Sequence, residues 1–117
     1  MQETELLKLV EKTLSDKKAL NITVLEVKKL TSVTDYFIIC TATSSRHAKA
    51  LADHLQKTIQ ENNIKPFGVE GNSDSNWILL DYLSIVVHIM LEDTRKFYDL
   101  EALWKQAESN RFNKDKK

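Results

Sequence analysis

The sequence predicts an α/β fold of the α+β type: a mixed five-stranded sheet with helices mainly on one face, in the order αββαβββα. Three observations carry that prediction. Two segments space their apolar residues as helices do, with Leu6, Leu7, Val10 and Leu14 in one and Leu51, Leu55 and Ile59 in the other. The stretch Tyr36 to Thr41 is apolar on both faces, which marks a central strand. Trp77 to Met90 is a nearly continuous apolar hairpin, interrupted at Leu83-Ser84.

The first helix is expected from about Thr4 to Lys17, and the first strand over Ile22 to Leu30. A loop follows through Thr31-Ser32-Val33-Thr34, and Asp35 leads into the strand Tyr36 to Thr41. Ser44 or Ser45 can cap a long helix that begins near Arg46 and ends at Asn62-Asn63. Pro66, Gly68 and Gly71 are the chain's proline and glycines, and their clustering marks the main loop region. A short strand near Phe67 to Glu70 precedes the polar loop Gly71 to Asn76. Thr94 to Tyr98 and Leu100 to Ala107 close the domain as one broken helix or two short ones. Residues 1–108 form a single domain, and residues 109–117 a polar, flexible tail.

The hairpin is the most informative segment. With Leu83-Ser84 as its turn, Asp81 faces Val86, Leu79 faces His88 and Trp77 faces Met90. Alternation then places Ile78, Leu80, Tyr82, Ile85, Val87 and Ile89 on one face, an ordinary core. Trp77, Leu79, Asp81, Val86, His88 and Met90 share the other. That second face mixes ionisable with large apolar groups, as a partner-binding surface does. It stays free unless a partner covers it.

Composition narrows the function classes. The chain has 117 residues, 42% of them hydrophobic, enough for one domain with a real core. Seventeen basic residues balance seventeen acidic ones, so no overall field draws the protein to nucleic acid. No apolar run approaches the roughly 18 residues of a membrane helix. The start, Met-Gln-Glu-Thr-Glu, has no signal-peptide character. One cysteine allows no internal disulfide and no metal-binding pattern. A cytoplasmic protein without cofactor is the simplest reading.

Candidate chemistry is thin. Cys40 lies in a strand apolar on both sides, where a thiol behaves as a small hydrophobe. His47 sits in the first turn of the long helix, placed to hold the loop; an anion role with Arg46 is the weaker alternative. His88 is a buried or interface histidine rather than a catalyst. Trp77 is either a core tryptophan at the sheet edge or an interface anchor. Trp104 packs the last helix onto the sheet. No phosphate-cradling glycine loop, HExxH or CxxC occurs. Catalysis is disfavoured.

Four ordered blocks resemble one family. They are T-D-Y-F-I-I-C-T-A-T-S-S-R-H (Thr34 to His47), E-G (Glu70-Gly71), W-I-L-L-D-Y…V-V-H-I-M (Trp77 to Met90) and R-K-F-Y-D-L-E-A-L-W (Arg95 to Trp104). Together they look like the ribosomal silencing factors, also called the Iojap-related family, over nearly the whole chain. Ala42 stands where the family usually has glycine, Leu83-Ser84 where it has glycine-aspartate, and Met90 where phenylalanine is common.

The resemblance implies a nucleotidyltransferase-like fold without that fold's catalytic machinery. It implies a non-catalytic repressor of translation. Members of the family bind the large ribosomal subunit through ribosomal protein number fourteen and sterically block joining of the small subunit when nutrients are scarce. They are often homodimers when free. Carried onto this sequence, the partner-binding residues are Trp77, Leu79, Asp81, Tyr82, His88 and Met90. Thr34, Asp35, Ser44, Arg46 and His47 are expected to take structural roles at the strand–helix connection, with peripheral partner contact as the alternative. Tyr82 matches the motif, although the register turns it toward the core. The alternative class is a nucleotidyltransferase-related enzyme or a direct RNA-binding module. Metal-dependent turnover of a nucleoside triphosphate would favour the enzyme, and steep salt dependence on naked ribosomal RNA would favour the module. The charge balance disfavours RNA; the tail, at +3 over residues 111–117, is read as a solvated end.

Overall fold

The computed structural model describes residues 1–71 and 74–105. Its elements are α1 (Glu3–Asp16), β1 (Leu20–Glu26), β2 (Tyr36–Ala42), α2 (Ser45–Gln60), β3 (Gly68–Glu70), β4 (Trp77–Asp81), β5 (Ile85–Leu91) and α3 (Glu92–Tyr98). Residues 100–105 are helical again. The element order is the expected one. The tail expected over 109–117 and the end of the last helix at Ala107 lie outside the described residues.

The five strands form one sheet in the order β1-β2-β5-β4-β3. β2 and β5 run parallel at its centre, and every other pair is antiparallel. Their central position explains why both are apolar on either side: each is buried along nearly its whole length. The hairpin register is the one alternation dictates, with Trp77 opposite Met90, Leu79 opposite His88 and Asp81 opposite Val86.

α1 and α2 pack against one face of the sheet. Leu6, Val10 and Leu14 of α1 and Ala48, Leu51, Ala52, Leu55 and Ile59 of α2 meet Ile38, Cys40, Ile78, Leu80, Tyr82, Ile85, Val87 and Ile89. Of the two serines able to cap α2, Ser44 does so, its hydroxyl accepting from the His47 amide at 3.0 Å. Among the described residues no helix is long and apolar enough to cross a membrane.

Three local features depart from the sequence reading. β1 starts at Leu20 and stops at Glu26, short of Leu30. Its end is set by Val27, whose amide donates to the Asp35 carbonyl at 2.8 Å while its carbonyl accepts from Leu30 and Thr31. That turns the chain before the apolar alternation ends. β2 gains one residue, Ala42, because Leu91 of β5 pairs with it.

The opposite face of the sheet is not bare. α3 and the helical residues 100–105 lie across it. Phe37 meets Trp104 edge to face with ring centroids 5.1 Å apart, and Trp77 meets Tyr98 at 4.9 Å. This cover buries part of a surface that the hairpin alone would leave exposed.

The hairpin turn is strained. Leu83 has φ +70°, where a Cβ costs about 1–2 kcal/mol. The Ser84 amide donates to the Tyr82 carbonyl at 2.9 Å, which makes a γ-turn of the rarer kind centred on Leu83. Asp81 Oδ1 accepts from the Leu83 amide at 2.8 Å and helps hold it there. Gly71 is the one position where glycine is required: φ is +102°, and a Cβ would meet the Trp77 carbonyl oxygen at 2.7 Å.

Candidate functional site: the aromatic face of the sheet

The face opposite α1 and α2 is built by alternation along β2, β4 and β5. It presents Phe37 and Ile39 from β2, Trp77, Leu79 and Asp81 from β4, and Val86, His88 and Met90 from β5. Across β4, Glu70 lies opposite Leu79 and Gly68 opposite Asp81, so the face continues to the sheet edge.

Its rings form an unbroken series. Trp104 touches Phe37, Phe37 touches His88 at 4.9 Å, His88 touches Trp77, Trp77 touches Tyr98, and Tyr98 touches Phe97 at 5.0 Å. Both ends of the series belong to the C-terminal cover, and its middle belongs to the sheet.

His88 sits at the centre, 4% exposed. Trp77 Nε1–H donates to His88 Nδ1 at 3.1 Å, so the neutral ring carries its proton on Nε2. Burial lowers its pKa to about 4, because the imidazolium would lose its hydration among the rings. His88 Nε2 finds no hydrogen-bond partner among the described residues. This is a structural histidine, neutral at physiological pH.

The residues expected to meet a partner divide into two groups. Trp77, Leu79 and Asp81 are partly exposed and share one surface. Met90 is 1% exposed, and His88 is equally enclosed, because β2, β4 and the C-terminal cover surround them. They form the floor of the face rather than its contact layer. Tyr82 is on the other side of the sheet, in the α1–α2 core, where burial pushes its phenol up to about 12. The register had already turned it inward.

Tyr98 also belongs to this surface, and the sequence reading missed it. It is half-exposed and extends the Trp77 surface. Its signal was present, since Arg95 to Trp104 is one of the family-like blocks, but only the docking of α3 shows which face it reaches. Phe97, at the next position back along α3, is 82% exposed. It stands beside Tyr98 and widens the apolar surface.

Of the other candidates, Cys40, His47, Thr34 and Asp35 make contacts within the fold. Cys40 points into the α1–α2 core, away from His88, and burial pushes its thiol up to about 12. His47 uses both ring nitrogens: Nδ1 accepts from the Thr43 amide at 3.0 Å, and Nε2 donates to the Lys17 carbonyl at 3.0 Å. It ties the end of α1 to the start of α2. Thr34 is buried, its hydroxyl donating to the Tyr36 carbonyl. The Asp35 and Tyr36 amides both donate to the Ser84 carbonyl at 3.0 Å, fastening the start of β2 to the hairpin turn. Arg46 is exposed at the α2 N-terminus.

Residues 1–117, the whole chain, match the family described as "ribosomal silencing factor during starvation". The chain belongs to the ribosomal silencing factor family. It is 36% identical over 107 residues to the ribosomal silencing factor of Halalkalibacterium halodurans, covering 92% of each. A crystal structure of a Chromobacterium violaceum protein superposes with a TM-score of 0.85 at 40% identity, over 90% of this chain and 88% of that one. A mouse protein named for mitochondrial assembly of the ribosomal large subunit is 36% identical over 94 residues, which are 78% of this chain and 41% of that protein. Leu83 falls at the strained turn and Met90 on the floor of the aromatic face.

Proposed function

We propose that this protein represses translation in the cytoplasm by binding the large ribosomal subunit through the aromatic face, at ribosomal protein number fourteen. Occupying that surface keeps the small subunit from joining and lowers protein synthesis under nutrient limitation. No bond is made or broken in this role; the protein acts as a steric plug. Family membership over the whole chain supports the ribosomal setting, and the name of the mouse relative supports the large subunit.

The single observation that carries the choice of surface is the joining of Trp77, Leu79 and Tyr98 into one partly exposed apolar area flanked by carboxylates. Glu70 faces Leu79 across the strands, and Asp81 follows two residues on. Large rings with few rotatable bonds make good anchors. The carboxylates suit a partner that surrounds an apolar socket with lysine or arginine. In the absence of ribosomes, a second copy of the chain covers the same kind of apolar surface, giving a homodimer.

Co-sedimentation with isolated subunits tests the reading. Wild-type protein is expected with the large subunit and not with the small. Trp77→Ala is expected to weaken that binding by about 2 kcal/mol. Because Trp77 also donates to His88, Leu79→Ala belongs alongside as the variant that leaves this bond intact. Undiminished binding by both variants, with unchanged circular dichroism, would move the site elsewhere.

A further inference from the structure

α3 is held differently from the other helices. None of its own residues is buried, so its side chains remove little of their own apolar area from water. Its anchor is Arg95, whose side chain is only 13% exposed. Nε donates to Glu101 Oε1 at 2.8 Å. Nη1 donates to the Asn21 carbonyl at 2.7 Å and to Thr41 Oγ1 at 3.0 Å, and Nη2 to Thr23 Oγ1 at 3.0 Å. One guanidinium thus ties α3 to the helical turn that follows it, to β1 and to β2.

β1 is shaped for this contact. Its register with β2 shifts between Leu20 and Thr23, and Asn21 holds φ +49°. The bulge releases the Asn21 carbonyl from the ladder and turns it to the arginine. Only a flat, multi-donor fork reaches partners spread this way; a lysine ammonium is a single point. Tyr98 lies on the same helical face as Arg95, one turn later, and Asp99 ends α3 immediately after it in the left-handed region (φ 42°, ψ 57°). Fixing the guanidinium therefore fixes where the tyrosine ring lands.

We propose that Arg95 is a latch that locks α3 to β1 and β2 and so presets Tyr98 on Trp77, forming the apolar contact surface before any partner arrives. A surface formed in advance spares the ordering cost at binding. Arg95 is a positioning residue and makes no contact with the partner. The binding part of this inference rests on the ribosomal reading above; the latch itself does not.

The test uses Arg95→Met in the full chain, which keeps the aliphatic stem and removes every donor. Hydrogen exchange of residues 92–105 is expected to quicken by roughly tenfold or more, while β2 and β5 amides keep their wild-type rates. Large-subunit binding is expected to fall by roughly tenfold. Tyr98→Ala should weaken the wild type yet add little in the Arg95→Met background, since the ring is already displaced. Thr23→Val removes one of the arginine's partners and should give a smaller loss in the same direction; it decides the matter if Arg95→Met does not fold. Wild-type exchange in 92–105 overturns the latch, as does full additivity of Arg95→Met and Tyr98→Ala. If the wild type itself fails to bind large subunits, the ribosomal reading falls, and exchange alone still decides the latch.

Discussion

Leu80 and Leu79 are neighbours in one strand, yet they face two differently built layers. Leu80 looks into a dry apolar core, where helices of 14 and 16 residues lay leucines, isoleucines and alanines against the sheet. Leu79 looks out beside a seven-residue helix with no buried residue, held by rings and one guanidinium. The first layer stabilises through area removed from water, which is large and indifferent to detail. The second depends on a few directional contacts, so it contributes less to stability. With binding on the second face, as proposed above, the sheet separates folding from binding.

The largest effect should come from the core. Leu55→Ala empties a fully buried position in α2 and is expected to cost about 3 kcal/mol in urea unfolding. A loss below that of Tyr98→Ala on the aromatic face would break the contrast between the layers.

The next effect sharpens it through pH. The His88 pKa is lowered from 6.5 to about 4 by burial. Between those values the unfolded chain binds a proton that the folded chain refuses, so stability is lost as pH falls from about 6.5 toward 4. The loss should reach on the order of 3 kcal/mol at the lower end. Urea midpoints at pH 7 and pH 4.5 measure it, and His88→Phe should flatten the slope. An equal slope in the variant would show that the aromatic face does not carry this dependence. Cys40 and Tyr82, the titratable side chains buried in the α1–α2 core, ionise far above this window.

The smallest effect concerns the turn that both faces share. Leu83→Gly relieves the left-handed backbone at φ +70° and should raise stability by about 1 kcal/mol. Because the gain is in the backbone, subunit binding should not change. A destabilised Leu83→Gly would mean that the exposed leucine side chain matters more than its strain.

Much of this was legible because the local rules agreed with each other. Alternation alone pairs Trp77 with Met90 and turns Tyr82 inward, and the structure keeps that register. Apolar neighbours on both sides of Cys40 place β2 at the centre. What escaped depends on contacts between distant segments. The end of β1 is decided by the Val27–Asp35 bond, although Val27 and Leu30 continue the apolar pattern. The burial of His88 and Met90 depends on a cover whose anchor, Arg95, finds Thr23 and Thr41 more than 50 positions away. Nothing near Arg95 in the chain distinguishes it from a solvated charge. Leu83 has none of the turn chemistry that announces a left-handed residue, so the position of the turn was readable and its strain was not.

The parallel contact between β2 and β5 has a consequence for synthesis. Tyr36 pairs with Ile85 and Ala42 with Leu91, a closure over a loop of about 50 residues that no tight turn can make. The β4–β5 hairpin can form as soon as it emerges, whereas the middle of the sheet waits for nearly the whole chain. Until then β2, apolar on both sides, has only β1 beside it, and its other edge is open. A growing chain of this protein therefore keeps one edge of β2 open while the roughly 50 residues that lead to β5 are made.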